Sequence, residues 1–207
     1  MRHNRDYLLD DDERIRSLVR DNPWATLLSG TRDGGLVGSH LPVLLEDGPS
    51  LSVVGHLGSP DEELHELGEH EVLLIVAGPH GYVSPGWYGD GGPAVPTYNY
   101  LVAHLYGRPE VLDPAETYQV LTETVDRFES VRPTPYRVDD DHGRKVARGV
   151  AGFRLRPSRV VAKAKLSQDK PAATAHRIIH ALETDATYRN PALAREMRQV
   201  WTQEESR

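Results

Sequence analysis

The chain has 207 residues, and its 24 Lys+Arg against 31 Asp+Glu give a formal net charge of −7. That balance excludes the clustered positive charge needed to grip a phosphate backbone over a broad face, so no nucleic-acid partner is expected. Hydrophobic residues at 38% supply a core, and zero cysteines exclude a disulfide framework, a thiolate metal site, a Cys nucleophile and Cys-ligated haem.

The opening MRHNRDYLLDDDER lacks the apolar core of a signal peptide. No apolar run reaches the roughly 18 residues that span a bilayer, so a cytoplasmic protein without a membrane partner is expected. Residues 10–21 read as a helix: Asp10, Asp11 and Asp12 suit its N-terminal dipole, Ile15, Leu18 and Val19 form the apolar stripe, and Asn22-Pro23 stops it. From Trp24 the chain changes to short β-rich runs, WATLLSG, LVGSHLPVLL, LSVVGHL, EVLLIVAG and YLVAHLYGRPEVL, broken by Gly, Pro and Asp. Five or six such strands with short turns predict a closed or half-closed antiparallel barrel. Residues 60–67 predict a short helix with Leu64 and Leu67 facing inward, and residues 114–128 a helix capped by Asp113 with Pro114 at its first position. A polar loop follows over 130–143, then strands near 153–155 and 160–166. Tail helices are predicted near 171–183 and 191–202, so the expected division is a barrel domain over 1–166 and a helical extension over 167–207 packing on it.

Ten histidines without a cysteine are the compositional oddity, with His40, His56, His80 and His104 in or beside predicted strands. Satisfying buried backbone groups is the commoner use of such a residue. The stretch GPHGYVSPGWYGDGGPAVPTYNY (78–100) is aromatic, rich in Pro and Gly, and too long for a hairpin turn. Its Tyr82, Trp87, Tyr88, Tyr98 and Tyr100 suit either the wall of a flat cofactor site or a subunit interface. No Walker loop, no GxGxxG after a strand, no HExxH and no nucleophile elbow at Ser84 or Ser167 is present.

The blocks SHLPVLL (39–45), GHL (55–57), GPHGYVSPGWY (78–88), VPTYNYLVAHLYG (95–107) and KLSQDKP (165–171) resemble, in order and spacing, the PaiB-type family of FMN-binding split barrels. The resemblance implies an α+β, mainly β fold: a six-stranded antiparallel split barrel with peripheral helices that forms a homodimer with cofactor sites at the subunit interface. It implies cofactor contacts at His40, Pro42, His56, Trp87, Thr97 and Ser167. One departure stands out. Where the family carries a basic residue followed by Asn-Pro-Gln-Trp, this chain has Gly58-Ser59-Pro60-Asp61-Glu62-Glu63-Leu64, and residues 58–71 hold six carboxylates and no Lys or Arg. A phosphate there meets repulsion of about 1 kcal/mol per close pair even in water.

In those departures the chain resembles the haem-dependent piperazate synthases, PaiB-like proteins that close an N–N bond in side-chain N-hydroxylated ornithine with loss of water in natural-product (antibiotic) biosynthesis. That likeness implies haem b bound by His65 as axial ligand and a small amino-acid substrate. His70 is the nearest competitor for the iron. Tyr82, Ser84, Tyr98 and Lys165 are the pocket candidates for moving protons. The alternatives are an FMN-binding PaiB-like negative transcriptional regulator or flavin reductase, and a cofactor-free dimer with a binding role.

Overall fold

In the computed structural model, which describes residues 4–89 and 95–205, α1 (Asp12–Asp21) begins two residues later than its acidic run suggests. It buries Ile15, Leu18 and Val19, and the Asn22 amide closes it by donating to the Leu18 carbonyl at 2.8 Å. The strands are β1 (Leu8–Leu9), β2 (Trp24–Gly30), β3 (Leu36–Leu45), β4 (Val53–Gly58), β5 (Val72–Val83), β6 (Thr97–Gly107), β7 (Glu110–Val111), β8 (Val150–Leu155) and β9 (Arg159–Lys165). Nine strands thus stand among the described residues, where the resemblance implied six and the chain-order reading seven. The additions are short: β1 is a two-residue pairing, and Arg108-Pro109 divides one expected strand into β6 and β7, since Pro has no N–H for a ladder. The 78–100 stretch is also more regular than its composition suggests. Both its ends are strand, Pro85–Trp87 forms a 3-10 turn, and residues 90–94 lie outside the described residues.

The chain divides into two units, neither matching a boundary at residue 166: one is 1–11, 77–103 and 161–207, the other 12–76 and 104–160. Strands β5 and β6 contribute to both.

In the larger unit the strand order is β5-β2-β3-β4-β8-β7. The β2–β3 hairpin turns at Gly34, whose φ of 84° only Gly adopts without strain, and the Asp33 carboxylate accepts from Thr31 Oγ1 at 2.5 Å and the Gly35 N–H at 3.1 Å. Alternation along β2 and β3 sends Ala25, Leu27, Ser29, Leu41 and Val43 inward; Trp24, Thr26, His40 and Pro42 take the opposite face. Gly55 lets β4 pack closely, since a Cβ there would stand 3.0 Å from the buried Phe153 ring. The helix α3 (Pro114–Glu129) carries a full capping box: Asp113 accepts from the Ala115 and Glu116 N–H groups at 2.8 Å, and Glu116 reaches back to the Asp113 N–H. A further helix, α4 (Asp140–Val146), occupies part of the expected loop, started by the Asp139 carboxylate accepting from the His142 N–H at 2.9 Å.

The smaller unit orders β1-β9-β6-β5 and packs α5 (Ala172–Thr184) and α6 (Pro191–Glu205) with them. Ile178, Leu182, Leu193, Met197 and Trp201 are buried, and the Trp201 indole donates to the Leu166 carbonyl at 3.4 Å. Asn190 starts α6 by accepting from the Leu193 N–H at 3.1 Å and ties it to β5 by donating to the His80 carbonyl at 2.9 Å. Among the described residues no helix is long and apolar enough to cross a membrane.

Candidate functional site

The acidic segment after β4 makes a single helical turn, α2 (Asp61–Leu64), before Glu66 and Gly68 take positive φ and redirect the chain into β5. So short a turn rotates the expected inward face. Leu64 is 56% exposed, and His65 takes the inward position with 0% exposure. Its Nδ1 lies 2.8 Å from Ser29 Oγ and its Nε2 3.0 Å from Ser39 Oγ. Ser39 donates its one proton to Asp61 at 3.4 Å, so it accepts from His65 Nε2–H, and Nδ1 in turn accepts from Ser29. Burial holds the imidazole below its ordinary pKa, with Asp61 opposing. With both nitrogens committed to core hydroxyls, His65 fits a structural imidazole better than an axial iron ligand. His70 faces the Glu66 carboxylate through Nδ1 at 3.5 Å, and its buried Nε2 has no hydrogen-bond partner among the described residues.

The rest of this segment fits a phosphate no better. Arg32, from the β2–β3 turn, reaches it and is already paired, with Glu69 at 2.8 Å and Glu66 at 3.7 Å. Arg108 Nε donates to the Gly68 carbonyl at 2.5 Å.

The other expected contacts of the larger unit stand on β3 and β4. His40 is exposed, its Nδ1 3.0 Å from Thr26 Oγ1, and its ring stacks against Trp24 with centroids 6.5 Å apart at 20°. The Trp24 indole is 63% exposed, and Pro42 lies opposite it in the β2–β3 register. These four side chains form one flat, partly aromatic surface. Trp24 and Thr26 escaped the sequence reading; the signal was available in the two-residue period that puts them on the face of His40 and Pro42. His56, on β4, has a buried Nδ1 with no hydrogen-bond partner among the described residues, and burial lowers its pKa.

The remaining expected residues fall in the smaller unit, where two sequence blocks meet. Lys165 Nζ donates to Thr97 Oγ1, and Asn99 Nδ2 donates to Ser167 Oγ at 2.9 Å. Lys165 also lies 5.9 Å from the Tyr7 ring centre; burial lowers its pKa, against the pull of Asp169. Tyr7 is pushed up to about 12 by burial and then by Asp169. Lys165 is thus a half-buried cation suited to an anion or a proton, with Tyr7 a neighbour that the sequence alone did not mark. Ser167 is 2% exposed and turned into the core, and Asn99 is buried with its Oδ1 unpartnered among the described residues. Ser84 caps the 3-10 turn by accepting from the Gly86 N–H at 3.2 Å. Tyr82 and Trp87 both pack on Tyr188, with centroids at 5.0 and 6.2 Å, and Tyr98 stacks on His80 at 6.2 Å. Among the described residues, no three His, Asp or Glu side chains converge as a metal site.

A mainly β sheet with flanking helices and a flat aromatic surface on its outer face defines a cofactor-binding split-barrel class. The chain belongs to the family described as “Putative FMN-binding domain”, which it matches over residues 1–159. It is 28% identical over 179 residues, 84% of each chain, to the Protease synthase and sporulation protein PAI 2 of Bacillus subtilis. Among solved structures it is similar to the FAD and haem binding protein from Mycobacterium smegmatis, with a TM-score of 0.58 and 22% identity over 76% of this chain and 72% of that one. It is also similar to the flavocytochrome Anf3 from Azotobacter vinelandii, with a TM-score of 0.54 and 20% identity over 74% and 67% of the two chains. At those identities the structural likeness concerns the fold.

The donor set fits a flavin in part. The surface of Trp24, His40, Thr26 and Pro42 suits an aromatic ring with a polar edge, whereas residues 58–71 do not suit its phosphate.

Proposed function

We propose that this is a flavin-binding protein of the PaiB kind that holds the isoalloxazine ring on the outer face of β2 and β3 and serves redox exchange with a small molecule. The observation that carries the reading is the Trp24–His40 stack, a large aromatic surface left to solvent in a chain of this family. A bound flavin supplies one- or two-electron transfer. Trp24 and His40 offer it the flat surface, and Thr26 fixes the His40 ring through Nδ1, which leaves Nε2 for the polar edge. With carboxylates at 58–71, ring stacking supplies the affinity and the phosphate adds little, so riboflavin competes with FMN. The half-buried apolar side chains of Leu28, Leu73 and Ile75 share this face and suit cover by a second copy of the chain, which makes the protein a homodimer.

The second reading is the haem-dependent N–N cyclase acting on N-hydroxylated ornithine, favoured by the acidic 58–71 segment. Its axial imidazole is then His40, whose Nε2 has no partner among the described residues.

Titration of the purified protein with FMN, riboflavin and hemin separates the two. The flavin reading expects quenched flavin fluorescence, FMN and riboflavin within about tenfold of each other, and at least about tenfold weaker binding by Trp24→Ala. It is overturned if neither flavin binds; a Soret band that His40→Ala abolishes then establishes haem.

A further inference from the structure

The larger unit holds a cavity of about 550 Å³ that shares no residue with the Trp24–His40 surface. Its floor is apolar: Leu44 packs against Val54 and Val120, which are buried with Leu112. One wall is α3. Glu116, Val120, Glu123 and Arg127 recur there at three- and four-residue spacing, which places them along one helical face. The opposite wall comes from the end of β3 and from Arg154 on β8.

The charges of this cavity are partly matched. Arg154 Nε donates to both Glu46 oxygens at 3.0 Å, its Nη1 donates to Glu116 at 3.3 Å, and Glu46 also accepts from Ser52 at 2.5 Å. Arg154 Nη1 also lies 3.6 Å from Glu110, so its charge is fully matched. Three charges are left beside it, one positive and two negative. Arg127 donates one N–H to the Arg20 carbonyl at 3.2 Å and has no carboxylate partner among the described residues. Among them Asp47 has no ion-pair partner either, and Glu123 accepts from Gln119 at 2.7 Å without a cationic partner.

We infer that this cavity binds a free α-amino acid with an aliphatic side chain: carboxylate on Arg127, ammonium on Glu123 and Asp47, and hydrocarbon on Leu44, Val54 and Val120. A simple anion there meets Glu46, Asp47, Glu116 and Glu123; a simple cation meets Arg20, Arg127 and Arg154. Only a ligand carrying both charges answers both sets, and the volume lies within the range of small-molecule sites. Arg127 and Glu123 are solvent-exposed, so their replacement leaves the core intact.

The test is calorimetry on the full chain with L-leucine, isoamylamine and 4-methylpentanoate, the last two lacking the carboxylate and the amine. Leucine is expected to bind, and each analogue to bind at least about tenfold more weakly, as loss of one charged hydrogen-bonded contact implies. Arg127→Gln should weaken leucine about tenfold without changing isoamylamine, and Glu123→Gln should weaken leucine without changing 4-methylpentanoate. Absence of leucine binding at about 10 mM, or leucine affinity unmoved by Arg127→Gln, overturns the assignment.

Discussion

Replacing His65 by Ala tests whether this histidine is a structural member of the core. The substitution removes two hydrogen bonds, of net value about 1 kcal/mol each. It leaves Ser29, 1% exposed, without its partner, which adds roughly 1–2 kcal/mol, and opens a void the size of an imidazole. The expected destabilisation is about 4 kcal/mol, a fall in Tm on the order of 8–16 °C for a chain of this size. Ser39 is only half-buried, so Ser39→Ala should lose about 1 kcal/mol. Urea unfolding at pH 7.5 gives both values, and the cofactor-to-protein ratio of the folded fraction is measured on the same samples. Cofactor content per folded molecule should be unchanged in His65→Ala. A Tm within about 2 °C of the parent would refute the reasoning, and loss of bound haem at unchanged stability would return His65 to the iron.

Stability should also depend on pH through the histidines whose pKa burial lowers, His56, His65 and His104. The unfolded chain takes up their protons near pH 6.5 and the folded chain does so only at lower pH. The stability they confer is therefore full above about pH 6.5 and is lost as pH falls below it, by at most about 1.4 kcal/mol per unit for each. Urea midpoints at pH 7.5, 6.5 and 5.5 check this, and a flat series, or a His65→Gln series as steep as the parent's, contradicts it. At the start of α3, Asp113→Ala should lose about 1 kcal/mol and Asp113→Asn only a few tenths, because Asn still accepts the N–H groups of the cap. Urea midpoints of the two variants decide, and equal losses would deny the cap its role.

The chain's local signals were legible wherever a few consecutive residues settle the outcome. Asp113, Pro114 and Glu116 determine where α3 begins, and the alternation through Leu41, Pro42 and Val43 determines which face of β3 is buried. The family blocks likewise identified the split-barrel class before any contact was known. Tertiary structure decided the rest, because it depends on residues far apart in the chain. Leu64 was expected inward and is exposed, since α2 ends after one turn and rotates His65 into the core, where Ser29 and Ser39 wait 36 and 26 residues away. Thr97 and Lys165 meet across 68 residues, as do Asn99 and Ser167. Nothing in either block alone specifies its partner. Residue types and spacing determined which side chains are able to carry charge, stack or cap; the paths of β2, β3 and α2 decided that His65 serves the core and that Trp24 and His40 face solvent. Hydrogen-bonding groups buried together must satisfy one another, and only the folded chain determines which groups those are.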